Sequence, residues 1–206
     1  MFNKFIKHFL LLMLLTAICS CAVAKQDIKV EQESVEPGSH VTFKGTVHKL
    51  LGTPVAVGEK IPPTRLVDSL TFQETDLSEM KGEVLFISIV PSVETKVCEA
   101  QTHYLGEEGD RLPSGVKRIT VSRDLPFAHK RFAEEAKLTD IQYLSDYKTG
   151  EFGRSMGLLV DELMLLARSV IIVDHEGIIR YIQVVPEMTH LPDMESAFNK
   201  AERLVN

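Results

Sequence analysis

The amino-acid sequence predicts an α/β fold in which a mixed β-sheet is flanked by helices on both faces. Residues 84–90 form an unbroken, mostly apolar run, which is typical of a strand buried on both faces of a sheet. A second apolar strand pattern lies at 116–122, and each of these two strands is followed by a helix-like stretch, which favours parallel neighbours. The tripeptide at 175–177 separates two further apolar runs, a hairpin signal that adds antiparallel strands.

The N-terminal third of the chain contains three weaker patterns. Polar and apolar residues alternate at 40–57, as in a small surface hairpin. Residues 66–75 resemble a further strand, and 76–82 resemble a short helical turn that ends at a glycine.

The strand at 84–90 leads directly into a helix. Pro91 ends the strand, because proline has no N–H group to donate to the sheet. Residues 96–108 can form a helix, and Ser92 and Thr95 are residue types that favour its N-cap.

The second half of the chain continues the alternation. Asp124 is placed to cap a helix at 126–137, with proline in its first turn. The remaining elements, in chain order, are a short helix at 151–158, a loop over the sheet at 159–166, strands at 169–174 and 178–185, and an amphipathic helix at 193–205. This order of elements is that of a thioredoxin-like architecture with an N-terminal β-hairpin extension.

The first residues have the pattern of an export signal, predicted to span 1–24. Basic residues precede an apolar stretch at 9–18, which is too short to span a bilayer comfortably. The small-x-small pattern at 22–24 fits ordinary signal peptidase, whereas the residues before Cys21 resemble a bacterial lipobox. We therefore expect an exported protein that is either periplasmic or anchored to a bacterial membrane through a lipid on Cys21.

The remaining chain divides into a polar, acidic linker at 25–40, expected to be loose, and one domain at 41–206. The formal net charge of −6 and the absence of basic runs argue against nucleic-acid binding. No cofactor motif and no metal-ligand spacing is present, so the seven histidines are expected to be solvated surface residues.

Cys98 is the only cysteine after the leader, which marks it as a candidate reactive thiol. It falls in the first turn of a predicted helix, where free N–H groups and the helix dipole favour a thiolate. The alternative is a buried cysteine that acts as a small hydrophobe. The polar residues Lys96, Glu99 and Gln101 disfavour burial in an apolar pocket.

A cysteine that reduces a peroxide needs donors for the peroxide oxygens and shielding from water. Thr95 lies one helical turn before Cys98 and can hydrogen-bond both sulfur and peroxide. Pro91 can shield the sulfur from one side. Arg168, just before a predicted central strand, is the best candidate for a guanidinium that holds the thiolate.

These residues resemble a known family. The pattern Pro91-x-x-x-Thr95-x-x-Cys98 is similar to the peroxiredoxin active-site motif, and its local form PSVETKVC looks like the thiol peroxidase subfamily. The stretches DLPFAHKRF at 124–132, ARSVIIVD at 167–174 and VTFKGTVHKL at 41–50 look like the same subfamily. The resemblance covers about residues 41–205.

The resemblance implies a thioredoxin-like fold and a role for each matched residue. Cys98 would be the peroxidatic cysteine that a hydroperoxide oxidises to a sulfenic acid. Thr95 would orient the peroxide, Pro91 would shield the site and Arg168 would stabilise the thiolate. A homodimer with active sites near the interface is also implied, and Phe127 and Arg131 are either contributors to it or ordinary core and surface residues.

The sequence departs from the subfamily pattern at two positions. Ala133 stands where a resolving cysteine is usual, so no intramolecular disulfide can close the cycle. We expect a single-cysteine cycle in which an external thiol, either a small thiol or a thioredoxin-like protein, reduces the sulfenic acid. Glu94 in place of aspartate is a milder change of one methylene.

Two rival functions remain at this point. A thiol–disulfide oxidoreductase of the same fold would require C-x-x-C, but Thr95 occupies the first of those positions. A non-catalytic peroxide sensor or interaction module would have kept the fold after losing the second cysteine. The presence together of Pro91, Thr95, Cys98 and Arg168 favours an antioxidant peroxidase that acts on hydrogen peroxide and organic hydroperoxides.

Overall fold

A computed structural model of the chain describes residues 28–205, so the predicted leader at 1–24 and the anchor candidate Cys21 lie outside the described residues. The strands are β1 His40–Phe43, β2 Thr46–Leu51, β3 Leu66–Asp68, β4 Glu74–Thr75, β5 Val84–Ile89, β6 Val116–Ser122, β7 Gln142–Ser145, β8 Leu159–Val160, β9 Ser169–Val173 and β10 Ile179–Val184. The helices are α1 Lys96–Glu107, α2 Pro126–Ala136, α3 Glu151–Ser155 and α4 Met194–Val205, with short 3-10 turns at Leu77–Glu79 and Gly109–Arg111.

Seven strands form one mixed sheet in the order β10-β9-β5-β6-β7-β3-β4. Strands β5, β6 and β7 are parallel neighbours. On the other side of β5, β9 runs antiparallel to β5, and β10 pairs antiparallel with β9. All six residues of β5 are buried, as expected for an apolar central strand. The predicted mixed sheet is therefore confirmed.

The two faces of the sheet carry different layers. Val84 and Phe86 of β5 pack in a cluster with residues of α1, α2 and α4, including Leu105 and Phe198. Leu85, Ile87 and Ile89 point to the opposite face, where the core includes Phe152 of α3 and residues of the β1–β2 hairpin. This alternation along β5 places α1, and Cys98 with it, on the first face. Within residues 28–205, no helix combines the length and the apolar character needed to cross a bilayer.

Three elements differ from their predicted form. The single strand predicted at 66–75 is two short strands, β3 and β4, because the Asp68 carboxylate accepts hydrogen bonds from the N–H groups of Leu70 and Thr71 and reverses the chain. The sequence pattern did not predict β7, which has only four residues. The predicted loop at 159–166 begins with β8, which pairs with β2.

The segment expected to be a loose linker is bound to the domain from its first described residues. The N–H of Glu31 donates to the carbonyl of Leu191 at 2.8 Å, and the N–H of Val35 donates to the carbonyl of Val184 at 3.0 Å. Strand β10 is the edge of the seven-stranded sheet, so its outer peptide groups need partners. Residues 28–36 supply them at Val184, whose N–H donates to the Ser34 hydroxyl and whose carbonyl accepts from Val35, and we call this stretch the edge segment.

Two polar residues also differ from their predicted roles. Asp124 does not cap α2, whose N-cap is Leu125; its carboxylate binds the loop before Cys98 instead. The expectation that the histidines are solvated is wrong for His129, which is fully buried. Hydroxyl groups of Ser69 and Ser122 provide partners for both of its ring nitrogens, which makes burial possible.

Candidate active site

Cys98 is the third residue of α1, at the end of the loop that follows the central strand β5. Its side chain is fully buried and packs with Val90 and Val93, with the half-buried Phe132 against them. Its polar flanks predicted that Cys98 would not lie in a wholly apolar pocket, and the side chain is fully buried but keeps polar neighbours. The sulfur has polar partners, because Thr95 reaches it from the loop before α1 and Arg168 reaches it from the residue before β9.

Thr95 is the N-cap residue of α1, but its hydroxyl makes no capping hydrogen bond to the helix. Oγ1 of Thr95 instead donates to Sγ of Cys98 at 3.0 Å. The three-residue spacing at a helix start brings the hydroxyl over the sulfur. Since Thr95 is exposed and Cys98 is buried, this hydroxyl connects the sulfur to the surface.

Arg168 approaches Cys98 from the residue before β9, and only 2% of its surface is exposed. Its Nη2 atom lies 3.3 Å from Sγ of Cys98. Nη1 donates to Oε1 of Gln101 at 2.9 Å, and Nε donates to the carbonyl oxygen of Met188 at 2.8 Å. The guanidinium is thus held by acceptors at three of its nitrogens, in a fixed orientation toward the sulfur.

Gln101 is a site residue that the sequence analysis missed. It lies three residues after Cys98 on α1 and is fully buried. Its amide group donates to Oγ of Ser88 at 2.9 Å, while its carbonyl oxygen accepts from Arg168. The sequence did contain a signal for Gln101. Positions three apart on a helix share one face, so Gln101 lies on the face of Cys98, and a buried amide there needs a polar partner.

A pocket of about 480 Å³ opens beside these residues. Pro91, Thr95 and Arg168 all line it, and Pro91 is itself buried. The rest of the wall is mostly apolar: Phe43, Val97, Leu163, Leu165 and Met188. Phe43 belongs to β1, so the N-terminal hairpin contributes to the wall of the pocket.

The four sequence-predicted residues thus meet at one place: Pro91, Thr95 and Arg168 line this pocket, and Thr95 and Arg168 both contact the buried sulfur of Cys98. Ala133 lies on α2 and packs in the core beside the sheet. Cys98 is the one free cysteine among residues 28–205. Glu94 forms an exposed ion pair with Arg131 of α2 at 2.5 Å, so the loop before Cys98 also contacts this helix.

Comparison with known proteins identifies the family of this chain. The chain matches the Redoxin family over residues 56–200. It is 42% identical over 163 residues to the thiol peroxidase of Halalkalibacterium halodurans, covering 79% of this chain and 96% of the relative. It is 40% identical over 168 residues to the thiol peroxidase of Bacillus subtilis, covering 81% of this chain and 99% of the relative.

Solved structures agree on the fold. A peroxiredoxin-like protein from Aquifex aeolicus superposes with a TM-score of 0.75 and 35% identity, over 80% of this chain and 96% of that chain. A thiol peroxidase from Chromobacterium violaceum superposes with a TM-score of 0.66 and 18% identity, over 77% of this chain and 92% of that chain. The chain belongs to the Redoxin family, within which it is a peroxiredoxin of the thiol peroxidase type and a thiol-dependent peroxidase.

Proposed function

We propose that Cys98 is the peroxidatic cysteine and that it reduces hydroperoxides in a single-cysteine cycle. One observation carries the assignment: Sγ of Cys98 has the Thr95 hydroxyl at 3.0 Å and the Arg168 guanidinium at 3.3 Å. A fixed cation and a hydroxyl donor can both hydrogen-bond a thiolate, which is the nucleophilic form of cysteine.

In the first step the Cys98 thiolate attacks one peroxide oxygen, and the O–O bond breaks. The sulfur is oxidised to a sulfenic acid, and the other oxygen leaves as water or an alcohol after taking up one proton. Thr95 and Arg168 donate hydrogen bonds to the oxygens as negative charge moves onto them. Pro91 keeps bulk water from one side of the reacting sulfur.

The pocket supports organic hydroperoxides as substrates in addition to hydrogen peroxide. Its volume of about 480 Å³ greatly exceeds that of hydrogen peroxide, and five apolar side chains line it. An alkyl or aryl group can bury its surface there while its peroxide group faces Thr95 and Arg168. Reduction of both kinds of peroxide would serve antioxidant defence.

The cycle would close through an external thiol. Ala133 occupies the usual position of a resolving cysteine, and the sequence has no other cysteine after residue 98. The thiol condenses with the sulfenic acid to give a mixed disulfide and water, and a second thiol then releases reduced Cys98. A small thiol or a thioredoxin-like protein can supply both equivalents.

The direct test is peroxide consumption with dithiothreitol, for the wild-type protein and for Cys98→Ser. We expect the variant to lose turnover, and we expect dimedone to label Cys98 of the wild type after one equivalent of peroxide. Equal consumption by both proteins would show that Cys98 is not the reacting group. Failure of added external thiols to return oxidised Cys98 to its reduced form would rule out the single-cysteine cycle.

A homodimer is proposed to form through an exposed apolar patch at the start of α2 and the β3–β4 turn. Phe127 is 69% exposed and Phe72 is 46% exposed, with ring centroids 5.3 Å apart. Leu70, in the same turn as Phe72, is 62% exposed, and Leu125, just before α2, is 54% exposed. Four large apolar side chains together on a surface are the usual mark of an association site.

Export is proposed from the leader sequence alone. A basic start, an apolar stretch at 9–18 and two competing processing sites support either a periplasmic protein or one anchored by a lipid on Cys21. Mass spectrometry of the native N-terminus would distinguish these outcomes from an unprocessed chain.

A further inference from the structure

The carboxylate of Asp124 binds the loop that carries Thr95 toward Cys98. Its Oδ1 atom accepts a hydrogen bond from the Ser92 hydroxyl at 2.7 Å. Its Oδ2 atom accepts from the backbone N–H of Val93, also at 2.7 Å. Ser92 and Val93 lie between Pro91 and Thr95, and Val93 packs directly in the cluster of Cys98. Two short bonds to a charged acceptor therefore hold the loop just before the N-cap of α1.

A chain of hydrogen bonds that does not involve the Ser92–Val93 loop also holds the Asp124 carboxylate. The Ser122 hydroxyl donates to Oδ2 of Asp124 at 2.7 Å and lies 2.6 Å from Nε2 of His129. Because the one hydroxyl proton of Ser122 goes to Asp124, Nε2–H of His129 must be the donor to Ser122. Nδ1 of His129 is then the acceptor for the Ser69 hydroxyl, at 2.8 Å. We call these four residues the Asp124 relay.

The Asp124 relay is buried and its polar atoms are satisfied. His129 is fully buried, and the side chain of Asp124 is 14% exposed. Burial lowers the pKa of His129 from its ordinary value of 6.5 to about 4, and the nearby negative charge of Asp124 opposes this shift only in part. The ring is neutral at neutral pH, so the relay keeps one tautomer and one direction of donation. Such a network fixes the carboxylate in a single orientation.

From this arrangement we propose that Asp124 is a positioning residue for the peroxidase reaction, with the relay holding its carboxylate so that the Ser92–Val93 turn keeps the Thr95 hydroxyl on the sulfur. Asp124 makes no contact with Sγ among the hydrogen bonds of residues 28–205, so it acts through the loop. The inference rests on the proposed role of Cys98. It explains why an aspartate at the start of α2 leaves the helix uncapped.

The test compares two reactions of the same sulfur. Oxidation by hydrogen peroxide needs the Thr95 hydroxyl in place, whereas alkylation by iodoacetamide needs only access to the thiolate. In Asp124→Asn and in Ser92→Ala, we expect the peroxide rate constant to fall by about tenfold while the alkylation rate stays equal or rises. The double variant should be no slower than Asp124→Asn, because both changes break the same support.

A matched control is Asp193→Asn. The carboxylate of Asp193 also accepts from one backbone N–H and one serine hydroxyl, at 3.0 Å and 2.7 Å, but at the start of α4. This variant should keep the wild-type rates for both reagents. Ser92→Ala removes a single oxygen atom from a half-buried side chain, so this variant should fold. It therefore tests the proposal even if Asp124→Asn does not fold.

The proposal is overturned if the variants react with peroxide at wild-type rates, or if peroxide and alkylation rates fall together as in a general structural defect. If the variants react with peroxide at wild-type rates, peroxide still oxidises Cys98 of the wild type, so only this inference fails and the proposed function is unaffected. If peroxide fails to oxidise Cys98 of the wild type, the proposed function and this inference both fail.

Discussion

Nη1 of Arg168 donates a hydrogen bond to Oε1 of Gln101 at 2.9 Å, and both side chains are buried beneath the pocket. Gln101 is in turn held by the hydroxyl of Ser88, a residue of the central strand. The guanidinium beside Cys98 is therefore connected to the middle of the sheet. Its position depends on the core of the protein rather than on a mobile surface side chain.

Arg168→Lys should lower the second-order rate constant for Cys98 oxidation by at least about tenfold, although it keeps the charge. An ammonium cannot reproduce the three directed bonds to Cys98, Gln101 and Met188, and Oε1 of Gln101 would lose its partner. Stopped-flow measurement of sulfenic acid formation checks this. Arg111→Lys is the control, since Arg111 forms an exposed ion pair with Glu195 and should react as wild type. If Arg168→Lys reacts with peroxide as fast as the wild type, the proposed role of the Arg168 guanidinium is wrong.

Thr95→Val should reduce the same rate constant by about a hundredfold, the usual effect of removing one donor from a developing oxyanion. The hydroxyl makes no helix cap, so the loss of stability should be small and the melting temperature should change little. Thr95→Ser keeps the donor and should retain most of the rate. If valine and serine variants react equally, the hydroxyl has no part in the chemistry.

His129 should make the free energy of unfolding depend on pH between about 6.5 and 4. Its pKa is lowered on folding from 6.5 to about 4, so within this window the unfolded chain binds a proton that the folded chain does not. The stabilisation is complete above pH 6.5 and is lost as the pH falls toward 4, with a loss of about 2 kcal/mol between pH 7.5 and pH 5.

Urea denaturation at both pH values checks this for the wild type and for His129→Gln. The variant should lack this part of the pH dependence, whereas His103→Gln on the half-exposed face of α1 should keep it. An equal pH dependence in the wild type and His129→Gln would show that His129 is not the titrating group.

Phe127→Asp should convert the proposed dimer to a monomer with little effect on the melting temperature. Phe127 is 69% exposed, so the charge costs little in the isolated chain but would be buried in an interface. Sedimentation velocity measures the change. Val57→Asp is the control, since Val57 is 59% exposed but its loop lies beside β10, at the opposite edge of the sheet from β4. A wild type that sediments as a monomer would contradict the proposal.

The central features of the fold could be predicted because each has a strong local cause. The apolar run of β5 and the proline after it predict a buried strand and its end, and the hairpin of β9 and β10 follows from its turn. The two-stranded form of 66–75 could not be predicted in this way, because it depends on the side chain of Asp68 turning back on its own backbone. Strand β7 has too few residues to show a period.

The candidate site likewise contains contacts that the sequence predicts and contacts that it does not. Thr95 and Cys98 are three residues apart, so one helical turn predicts their contact. Arg168 is 70 residues from Cys98, and the sequence indicated it only through its position just before a predicted strand. Its hydrogen bonds to Gln101 and Met188, which hold the guanidinium in place, are visible only in the structure. The relay through Asp124 and His129 joins β6, α2 and the β3–β4 turn. Contacts between segments so far apart have no signature in one sequence.

The edge segment limits the distance between the folded domain and a membrane to which Cys21 would be anchored. Lys29 is already bound to the folded domain, since its carbonyl accepts a hydrogen bond from the N–H of Leu191 at 2.8 Å, and it lies eight residues after Cys21 in the sequence. A fully extended tether of eight residues reaches at most about 29 Å. An acyl chain on Cys21 would therefore hold the peroxidase within roughly one bilayer thickness of the lipid headgroups.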